Sequence, residues 1–347
     1  MMISILIPCH NEEKTIKECL ESCLFQTLKF DEIIVVDDGS TDSTPSILES
    51  FGKKITVVRI PKKTGNKSFA QQKGLKFVTG DILVMTDADT ILHCNFARRI
   101  ALDFKDKKTV AVAGYVKSLK HNWLTACREL DYVIGQDIYK TAQSYIDAVY
   151  VMPGCASAFR TKVFKKCITF DHDTLTEDLD FTYKLHEKGL KIKYDRKAIV
   201  YTQDPATIRS YVTQMKRWYS GGWQNLSKHR KVILEKPGNS LELSLMFIEG
   251  FMFSSLMFIV PIINITLFAY FMMLYLPVLF AFSLYGTVKR KRLDLLIYFP
   301  AYLILLFLDA YLFIRTFFDE IVFKNKNRKW TIPERRDILC NTEEDFH

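Results

Sequence analysis

Apolar runs alternate with amphipathic helical patterns along the first third of the chain. Short stretches rich in Val, Ile and Leu are typical of buried strands, and apolar residues that recur every three or four positions are typical of helices. We expect strands at residues 3–7, 32–36, 55–59, 82–86 and 110–115, and helices at residues 13–25, 43–51 and 70–78. Because continuous apolar strands that alternate with helices form parallel sheets covered on both faces, this pattern predicts an α/β domain.

The pattern changes in the second half of the chain. Residues 207–229 combine polar, basic and aromatic side chains, which predicts an amphipathic helix at a membrane surface. Residues 241–286 are long and apolar enough for two membrane spans, and residues 293–318 form another apolar segment. The basic quartet at 289–292 is expected on the cytosolic side.

A third complete span conflicts with the positive-inside rule. It would leave the basic tail at residues 324–336 outside the cell, so either the rule fails here or one of the three segments is re-entrant or interfacial. The predicted organisation has three parts. They are a soluble domain at 1–235 (with interfacial helices at 205–235), a membrane module of two to three helices at 241–318, and a basic tail at 319–347.

Composition limits the partners of the chain. Its 347 residues carry a net charge of +9, which favours anionic neighbours such as a nucleotide sugar or lipid headgroups. Nucleic acid is not expected, because no basic stripe is interleaved with aromatic residues. The eight cysteines show no zinc-site spacing and predict reduced cytosolic thiols. The first apolar run ends at Pro8 and is too short for a signal peptide, so it predicts a buried strand.

Two acidic pairs follow predicted strands, where ligands collect in α/β sheets. Asp87 and Asp89 are spaced to converge on one Mg²⁺ or Mn²⁺ that neutralises a pyrophosphate leaving group, although a solvated turn would use the same residues. Asp38, beside Asp37, suits a hydrogen bond from a nucleotide base or ribose. The same stretch, residues 37–43, also suits a turn followed by a helix N-cap, and the residues alone leave both interpretations open.

Two further clusters carry candidate catalytic groups. Asp178 can act as a general base towards an acceptor hydroxyl, and Glu177 beside it would raise its pKa. The alternative is a helix start capped by Thr176. Gln214, Arg217 and Trp218 share one helical face, where Arg217 can bind pyrophosphate and Trp218 can stack on a sugar ring. A membrane-surface helix with a snorkelling arginine and an interfacial tryptophan is equally compatible with this pattern.

These four clusters, in this order, resemble the inverting glycosyltransferases of family 2. The resemblance is closer to the membrane-embedded processive branch, which includes hyaluronan, chitin, cellulose and poly-N-acetylglucosamine synthases. It covers roughly residues 3–225 in motif order and implies a GT-A fold, which is α/β with a Rossmann-like mixed sheet, followed by C-terminal transmembrane helices. It also implies a divalent metal cofactor, Mg²⁺ or Mn²⁺.

The resemblance also implies roles for individual residues. The opening at 7–13 resembles a nucleotide-contacting loop, and residues 65–67 resemble a Gly-Lys loop near the uridine diphosphate. The implied nucleotide-sugar contacts are Pro8, Glu12, Asp38, Lys67, Asp87, Gln214, Arg217 and Trp218. Asp87 and Asp89 would hold the metal, Asp178 would be the base, Glu177 and Trp218 would support the base or acceptor, and Trp330 would belong to a gating segment.

We therefore expect an integral membrane enzyme with a cytoplasmic catalytic domain that transfers a sugar from a UDP-sugar to a growing polysaccharide, in contact with membrane lipids. The chain departs from the family at Gln71 and Gln72, where Asn is common, and it carries few membrane segments. It therefore either assembles as a homo-oligomer or makes a short or lipid-linked product. The nearest alternative is transfer of a single sugar to a polyprenyl phosphate or glycolipid.

Two other classes of protein share parts of this pattern. A non-catalytic nucleotide-sugar-binding membrane subunit would lack the base or a metal carboxylate, and this chain has candidates for both. A small transporter would not need the soluble crevice.

Overall fold

The structure is a computed structural model that describes residues 1–230, 239–324 and 335–338, with only the backbone described at 239–246. The chain forms two compact units. Among the described residues, the first contains 1–117, 149–203 and 335–338, and the second contains 118–148, 204–230 and 239–324. The predicted soluble domain, residues 1–235, therefore contributes to both units.

An eight-stranded sheet organises the first unit. Its strands are β1 (Ile3–Cys9), β2 (Glu32–Asp38), β3 (Thr56–Ile60), β4 (Ile82–Met85), β5 (Thr90–Leu92), β6 (Ala111–Ser118), β7 (Ser157–Arg160) and β8 (Ile192–Thr202). The strand order is β3-β2-β1-β4-β7-β6-β8-β5. The pairs β3–β2, β2–β1 and β1–β4 are parallel, whereas β7 pairs antiparallel with β4 and β6, and β5 with β8. The sheet is therefore mixed, as the resemblance implied.

Helices surround the sheet and make up the second unit. In chain order they are α1 (Ile16–Leu24), α2 (Thr44–Ser50), α3 (Lys67–Gly74), α4 (Phe96–Asp103), α5 (Trp123–Tyr132), α6 (Thr141–Tyr145), α7 (Thr161–Cys167), α8 (Glu177–Glu187), α9 (Ile208–Lys228), α10 (Asn239–Ile263), α11 (Ile265–Arg290), α12 (Asp294–Ile297) and α13 (Phe299–Phe317). A π-helical segment at Val133–Lys140 joins α5 to α6, and another at Phe318–Val322 follows α13.

The core of the first unit fixes the ends of its parallel strands. Every residue of β1 and β4 is buried, and Leu6, Val36 and Leu83 pack in one cluster with side chains from α3 and α8. This burial explains why the strands contain continuous apolar runs rather than alternating patterns. Glu12 follows β1, and Asp87 and Asp89 follow β4, so these candidate functional groups lie just beyond the buried runs.

Two helices are long and apolar enough to cross a bilayer. They comprise residues Ile265–Arg290, with mean hydropathy 2.1, and Phe299–Val322, with mean hydropathy 1.8. The preceding apolar helix covers Phe247–Ile263 and is shorter. Only 6% of the apolar window of α11 is buried, so most of its apolar surface requires another apolar environment.

The helices α5, α9, α11 and α13 share a second apolar core. It includes Leu124, Tyr211, Met215, Leu279 and Leu312. The amphipathic helix expected at 207–229 is present as α9, capped by Thr207, whose side chain accepts a hydrogen bond from Ser210 N. All seven cysteines in the described part of the chain are free thiols.

Candidate active site

Five acidic side chains of the first unit lie with two cations near the ends of β1 and β4. We call Glu12, Asp87, Asp89, Glu177 and Asp178 the carboxylate cluster. Glu12 follows β1, Asp87 and Asp89 follow β4, and Glu177 and Asp178 begin α8. Parallel strands bring their carboxyl ends to one edge of the sheet, which is why residues so far apart in sequence meet there.

Lys67 connects the acidic groups of β4 and α8. It is the first residue of α3, whose N-cap, Asn66, accepts a hydrogen bond from Ser68 N. The Lys67 ammonium contacts Asp87 Oδ1 and lies 3.2 Å from Glu177 Oε1. Burial alone would lower the pKa of Lys67, but Asp87 and Glu177 outweigh burial and raise it. The lysine therefore stays cationic and holds the two carboxylates together.

Asp178 is bound mainly by backbone groups. Gly154 N donates a 3.1 Å hydrogen bond to its Oδ2, and Leu179 N donates a 2.8 Å bond to its Oδ1. Burial, followed by the charge of Glu177, raises the pKa of Asp178 to about 6, and Lys67 opposes the shift. Thr176 makes no side-chain cap bond to α8, although Glu177 and Asp178 do lie in its first turn. Asp178 is therefore an oriented carboxylate whose pKa lies near physiological pH.

Gly154 lies next to both Lys67 and Asp178. A Cβ atom at this position would lie 3.2 Å from Lys67 Nζ and 3.5 Å from Asp178 Oδ2. The adjacent Cys155 thiol reports the same convergence. Burial raises its pKa first, Asp87, Asp89 and Asp178 raise it further, and Lys67 opposes them. Asp87, Asp89, Asp178 and Lys67 therefore all lie close to Cys155.

Arg335 is a second cation in the cluster, and the sequence patterns did not assign it a role. Its Nε and Nη2 atoms each lie 2.8 Å from a Glu12 carboxylate oxygen, and its Nη1 contacts Asp89 Oδ2. Burial raises the pKa of both Glu12 and Asp89, and Arg335 opposes the two shifts. The sequence could not indicate a contact between residues that are 323 positions apart.

Asp37 and Asp38 hold different parts of the backbone, as their hydrogen bonds show. Asp37 Oδ1 accepts a hydrogen bond from Ser40 N at 2.9 Å, which is the turn that the sequence suggested. Both carboxylate oxygens of Asp38 accept hydrogen bonds from Thr64, at 3.0 Å from its N–H and 2.8 Å from its hydroxyl. Asp38 therefore fastens the loop before Lys67, and its predicted nucleotide contact stays a prediction. Pro8 is buried in β1, opposite Val36 in β2.

The cluster has suitable chemistry for a hard divalent cation. Asp87 and Asp89 offer carboxylate oxygens, the ligand type that Mg²⁺ prefers. No group of three or more His, Cys, Asp or Glu side chains in the described part of the chain is arranged to hold a metal by itself. The remaining ligands would have to come from phosphate oxygens and water, as in many Mg²⁺ sites. The residues fit a metal that arrives with a diphosphate better than a permanently bound one.

The Gln-x-x-Arg-Trp motif lies on α9 in the second unit. Arg128 of α5 is buried behind it, with its Cζ 5.1 Å from the centroid of the Trp218 ring. Arg128 Nη1 also lies 2.7 Å from Asp131 Oδ2. Gln214 Oε1 is buried and has no hydrogen-bond partner among the described residues. The motif thus combines a supported aromatic ring with an unsatisfied amide oxygen. Trp330 lies outside the described residues.

Known sequences match a large part of this chain. Residues 4–168 match the family model described as Glycosyl transferase family 2. A poly-beta-1,6-N-acetyl-D-glucosamine synthase of Staphylococcus epidermidis is 30% identical over 228 residues, which is 65% of this chain and 55% of that protein. The same enzyme of Staphylococcus aureus strain COL is 28% identical over 227 residues, with the same coverage. The chain therefore spans about half the length of these curated relatives.

Solved structures are similar in fold. The mannosyltransferase PcManGT from Pyrobaculum calidifontis, solved with GDP-Man and Mn²⁺, has a TM-score of 0.58 at 19% identity, covering 85% of this chain and 86% of that chain. TarS 1–349 of S. aureus, solved with UDP, has a TM-score of 0.55 at 20% identity, covering 74% of this chain and 73% of that chain. At such identities the likeness concerns the fold, which is the mixed α/β type of GT-A domains.

Proposed function

We propose that this chain, whose residues 4–168 match the family model Glycosyl transferase family 2, is an inverting glycosyltransferase that transfers a sugar from a UDP-sugar to a growing polysaccharide. The carboxylate cluster carries the proposal, because it gathers a backbone-oriented acid of raised pKa, paired carboxylates and a cation at the ends of parallel strands. The curated relatives, which are named as polysaccharide synthases, support the choice of acceptor.

Asp178 acts as the general base. Its carboxylate accepts the proton of an acceptor hydroxyl while the hydroxyl oxygen attacks the anomeric carbon from the face opposite the diphosphate. The bond between the anomeric carbon and the phosphate oxygen breaks, UDP leaves with the electron pair, and the configuration inverts. The N–H groups of Gly154 and Leu179 hold the carboxylate in place for this proton transfer.

Asp87 and Asp89 would hold a divalent cation near the diphosphate end of the donor. A bound Mg²⁺ or Mn²⁺ would serve as a Lewis acid that neutralises the departing diphosphate. Lys67 adds a positive charge beside Asp87, and Glu12 and Asp38 contribute to the nucleotide pocket, as the family resemblance implies. An anionic donor needs such cations, because carboxylates alone would repel it.

The family resemblance implies further substrate contacts from the Gln-x-x-Arg-Trp motif of α9. Arg217 binds the diphosphate, Trp218 stacks on the sugar ring of the acceptor, and Gln214 accepts a hydrogen bond through its free Oε1. The buried Arg128 supports the Trp218 ring from within α5.

Helices α11 and α13 anchor the enzyme in the membrane, with the catalytic unit and the basic quartet at 289–292 on the cytoplasmic side.

The test is an assay of the detergent-solubilised chain with a panel of nucleotide sugars. We expect one UDP-sugar to release UDP, only when Mg²⁺ or Mn²⁺ is present, and to yield a ladder of products of increasing length. A single addition to a polyprenyl phosphate or glycolipid would favour the alternative, single-sugar transfer. Absence of UDP release from every donor, in protein that remains folded, would contradict the proposal.

A further inference from the structure

The guanidinium of Arg335 lies between two buried carboxylates, those of Glu12 and Asp89. Its guanidinium forms a fork on Glu12, with Nε and Nη2 at 2.8 Å from the two carboxylate oxygens, and its Nη1 contacts Asp89 Oδ2. The three side chains are nearly inaccessible to solvent, with exposed fractions of 13% for Arg335, 6% for Glu12 and 8% for Asp89. Buried carboxylates at such a site require a counter-ion, and here the chain itself supplies one.

The backbone beside Arg335 is held independently of its guanidinium. Gln203 binds Arg336 at two points, donating from its Nε2 to the carbonyl oxygen at 2.6 Å and accepting from the N–H at 3.2 Å. Lys14 Nζ lies 3.4 Å from the carbonyl oxygen of Arg335. Removing the guanidinium should therefore leave this short segment in place and expose the two carboxylates.

A guanidinium and a metal ion repel each other and therefore compete for the same carboxylate group. Asp89 Oδ2 contacts Arg335, and Asp89 is also one of the two carboxylates expected to hold the divalent cation. A guanidinium binds a diphosphate through the same pair of parallel hydrogen bonds that it makes to a carboxylate. The donor therefore offers Arg335 a new partner when it arrives, and it frees Asp89 for the metal.

We propose that Arg335 is the resident counter-ion of Glu12 and Asp89, and that it makes divalent metal binding depend on the nucleotide. In the free protein the guanidinium competes with the metal for Asp89. When the diphosphate is present, Arg335 binds it instead, and the metal affinity rises. This inference rests on the proposed function, because it requires a nucleoside diphosphate at the cluster. By linkage, the metal and the nucleotide must strengthen each other's binding by one common factor.

The experiment measures Mn²⁺ binding directly, by the electron paramagnetic resonance signal of the free ion, with the full chain in detergent and no acceptor. Titrations are run with and without UDP on the wild type, Arg335→Gln, Arg335→Lys and Arg336→Gln. We expect UDP to increase the Mn²⁺ affinity of the wild type about tenfold or more. Arg335→Gln should bind Mn²⁺ about tenfold more tightly than the wild type without UDP, and UDP should increase its Mn²⁺ affinity by a smaller factor than in the wild type, because only phosphate ligation of the metal is left to contribute.

The other two variants isolate the guanidinium. Arg336→Gln is the matched control, since the Gln203 bonds use the backbone of Arg336, and it should behave as the wild type. Arg335→Lys keeps one charge but cannot form the fork, so its Mn²⁺ affinity should fall between those of the wild type and Arg335→Gln. Thermal unfolding of each variant verifies that the comparison is made on folded protein.

The inference is overturned if Arg335→Gln binds Mn²⁺ without UDP no more tightly than the wild type, or if its response to UDP is unchanged. Failure of the proposed function has a different signature, because the wild type would then bind no UDP at any Mn²⁺ concentration. Normal UDP binding with an unaltered metal response in Arg335→Gln would remove only the counter-ion role.

Discussion

Among the acidic side chains of the cluster, Asp178 has the environment of a base rather than of a metal ligand. Its two oxygens accept backbone hydrogen bonds, whereas Asp87 contacts Lys67 and Asp89 contacts Arg335. Burial also raises its pKa to about 6. Asp178 can therefore take up a proton near neutral pH, whereas Asp87 and Asp89 are paired with cationic side chains.

The pH dependence of transfer should report this carboxylate. Only the ionised form of Asp178 can accept a proton, so kcat/KM should be constant above the pKa of about 6 and should fall about tenfold for each pH unit below it. Initial rates at limiting donor between pH 5 and 8 measure this profile. A rate that does not change between pH 5 and 7 would mean that Asp178 is not the group being titrated.

Gly154 should tolerate a methyl group structurally but not functionally. The added Cβ of Gly154→Ala would meet the flexible end of Lys67 and the carboxylate of Asp178, and both can shift by a few tenths of an ångström. We expect nearly unchanged thermal stability and a clear loss of kcat, because the base is displaced. Gly80→Ala is the contrasting control, since its Cβ would lie 2.4 Å from Ser4 Oγ and 3.0 Å from Ser4 N, and it should lower stability. Full activity in Gly154→Ala would contradict this account of the site.

Sequence reasoning found most members of the cluster but not all of its contacts. Asp87 and Asp89 were visible because they follow a buried strand, and Lys67 because it lies in a recognisable loop. Gly154 and Arg335 carried no such local signal. Their importance depends on which side chains face them in three dimensions, and a one-dimensional pattern does not contain that information.

At the scale of elements, the periodicity of the sequence predicted the positions of helices and strands better than it predicted which strands pair with each other. The helix expected at 207–229 is α9, and the predicted strands at 3–7 and 32–36 lie within β1 and β2. Helix α3 begins at Lys67, three residues before the predicted start, because Asn66 caps it there. The short strand β5 and the long strand β8 were not predicted. They pair with each other across more than 100 residues, and such pairing leaves little trace in a local window.

A buried ion pair fastens the end of α11 to α5. Arg290 Nε lies 2.5 Å from Glu129 Oε1, and the side chains are 8% and 2% exposed. Removing one partner leaves a buried charge, so Arg290→Ala should destabilise the protein by about 3–5 kcal/mol. Lys291→Gly is the control, because Lys291 caps the same helix at φ 53°, which glycine adopts without strain. Equal thermal stability of the two variants in detergent would contradict a structural role for the pair.

At the scale of the whole molecule, the resemblance to family 2 glycosyltransferases drawn from ordered motifs is confirmed by the family model over residues 4–168. The mixed sheet implied by that resemblance is confirmed as well. The membrane region was predicted less completely, since the sequence left two or three spans open. Of the described helices, α11 and the one that begins with α13 are long and apolar enough to cross a bilayer.

The orientation of α11 can be tested from its two ends. If this helix crosses the membrane with the basic quartet inside, a cysteine at Lys291→Cys should react with an impermeant maleimide in inside-out vesicles and not in intact cells. Ile263→Cys, at a 77% exposed position just before the helix, should show the opposite pattern. Labelling of both positions from the same side would show that α11 does not span the membrane.

The claim that the carboxylate cluster is the catalytic centre is tested most directly by Asp178→Asn, with UDP binding and sugar transfer measured on the same preparation. The amide preserves the size of the side chain but cannot act as the base. We predict that UDP binds with an affinity close to that of the wild type, while the transfer rate falls by at least about a hundredfold. Transfer at the wild-type rate in this variant would contradict the account.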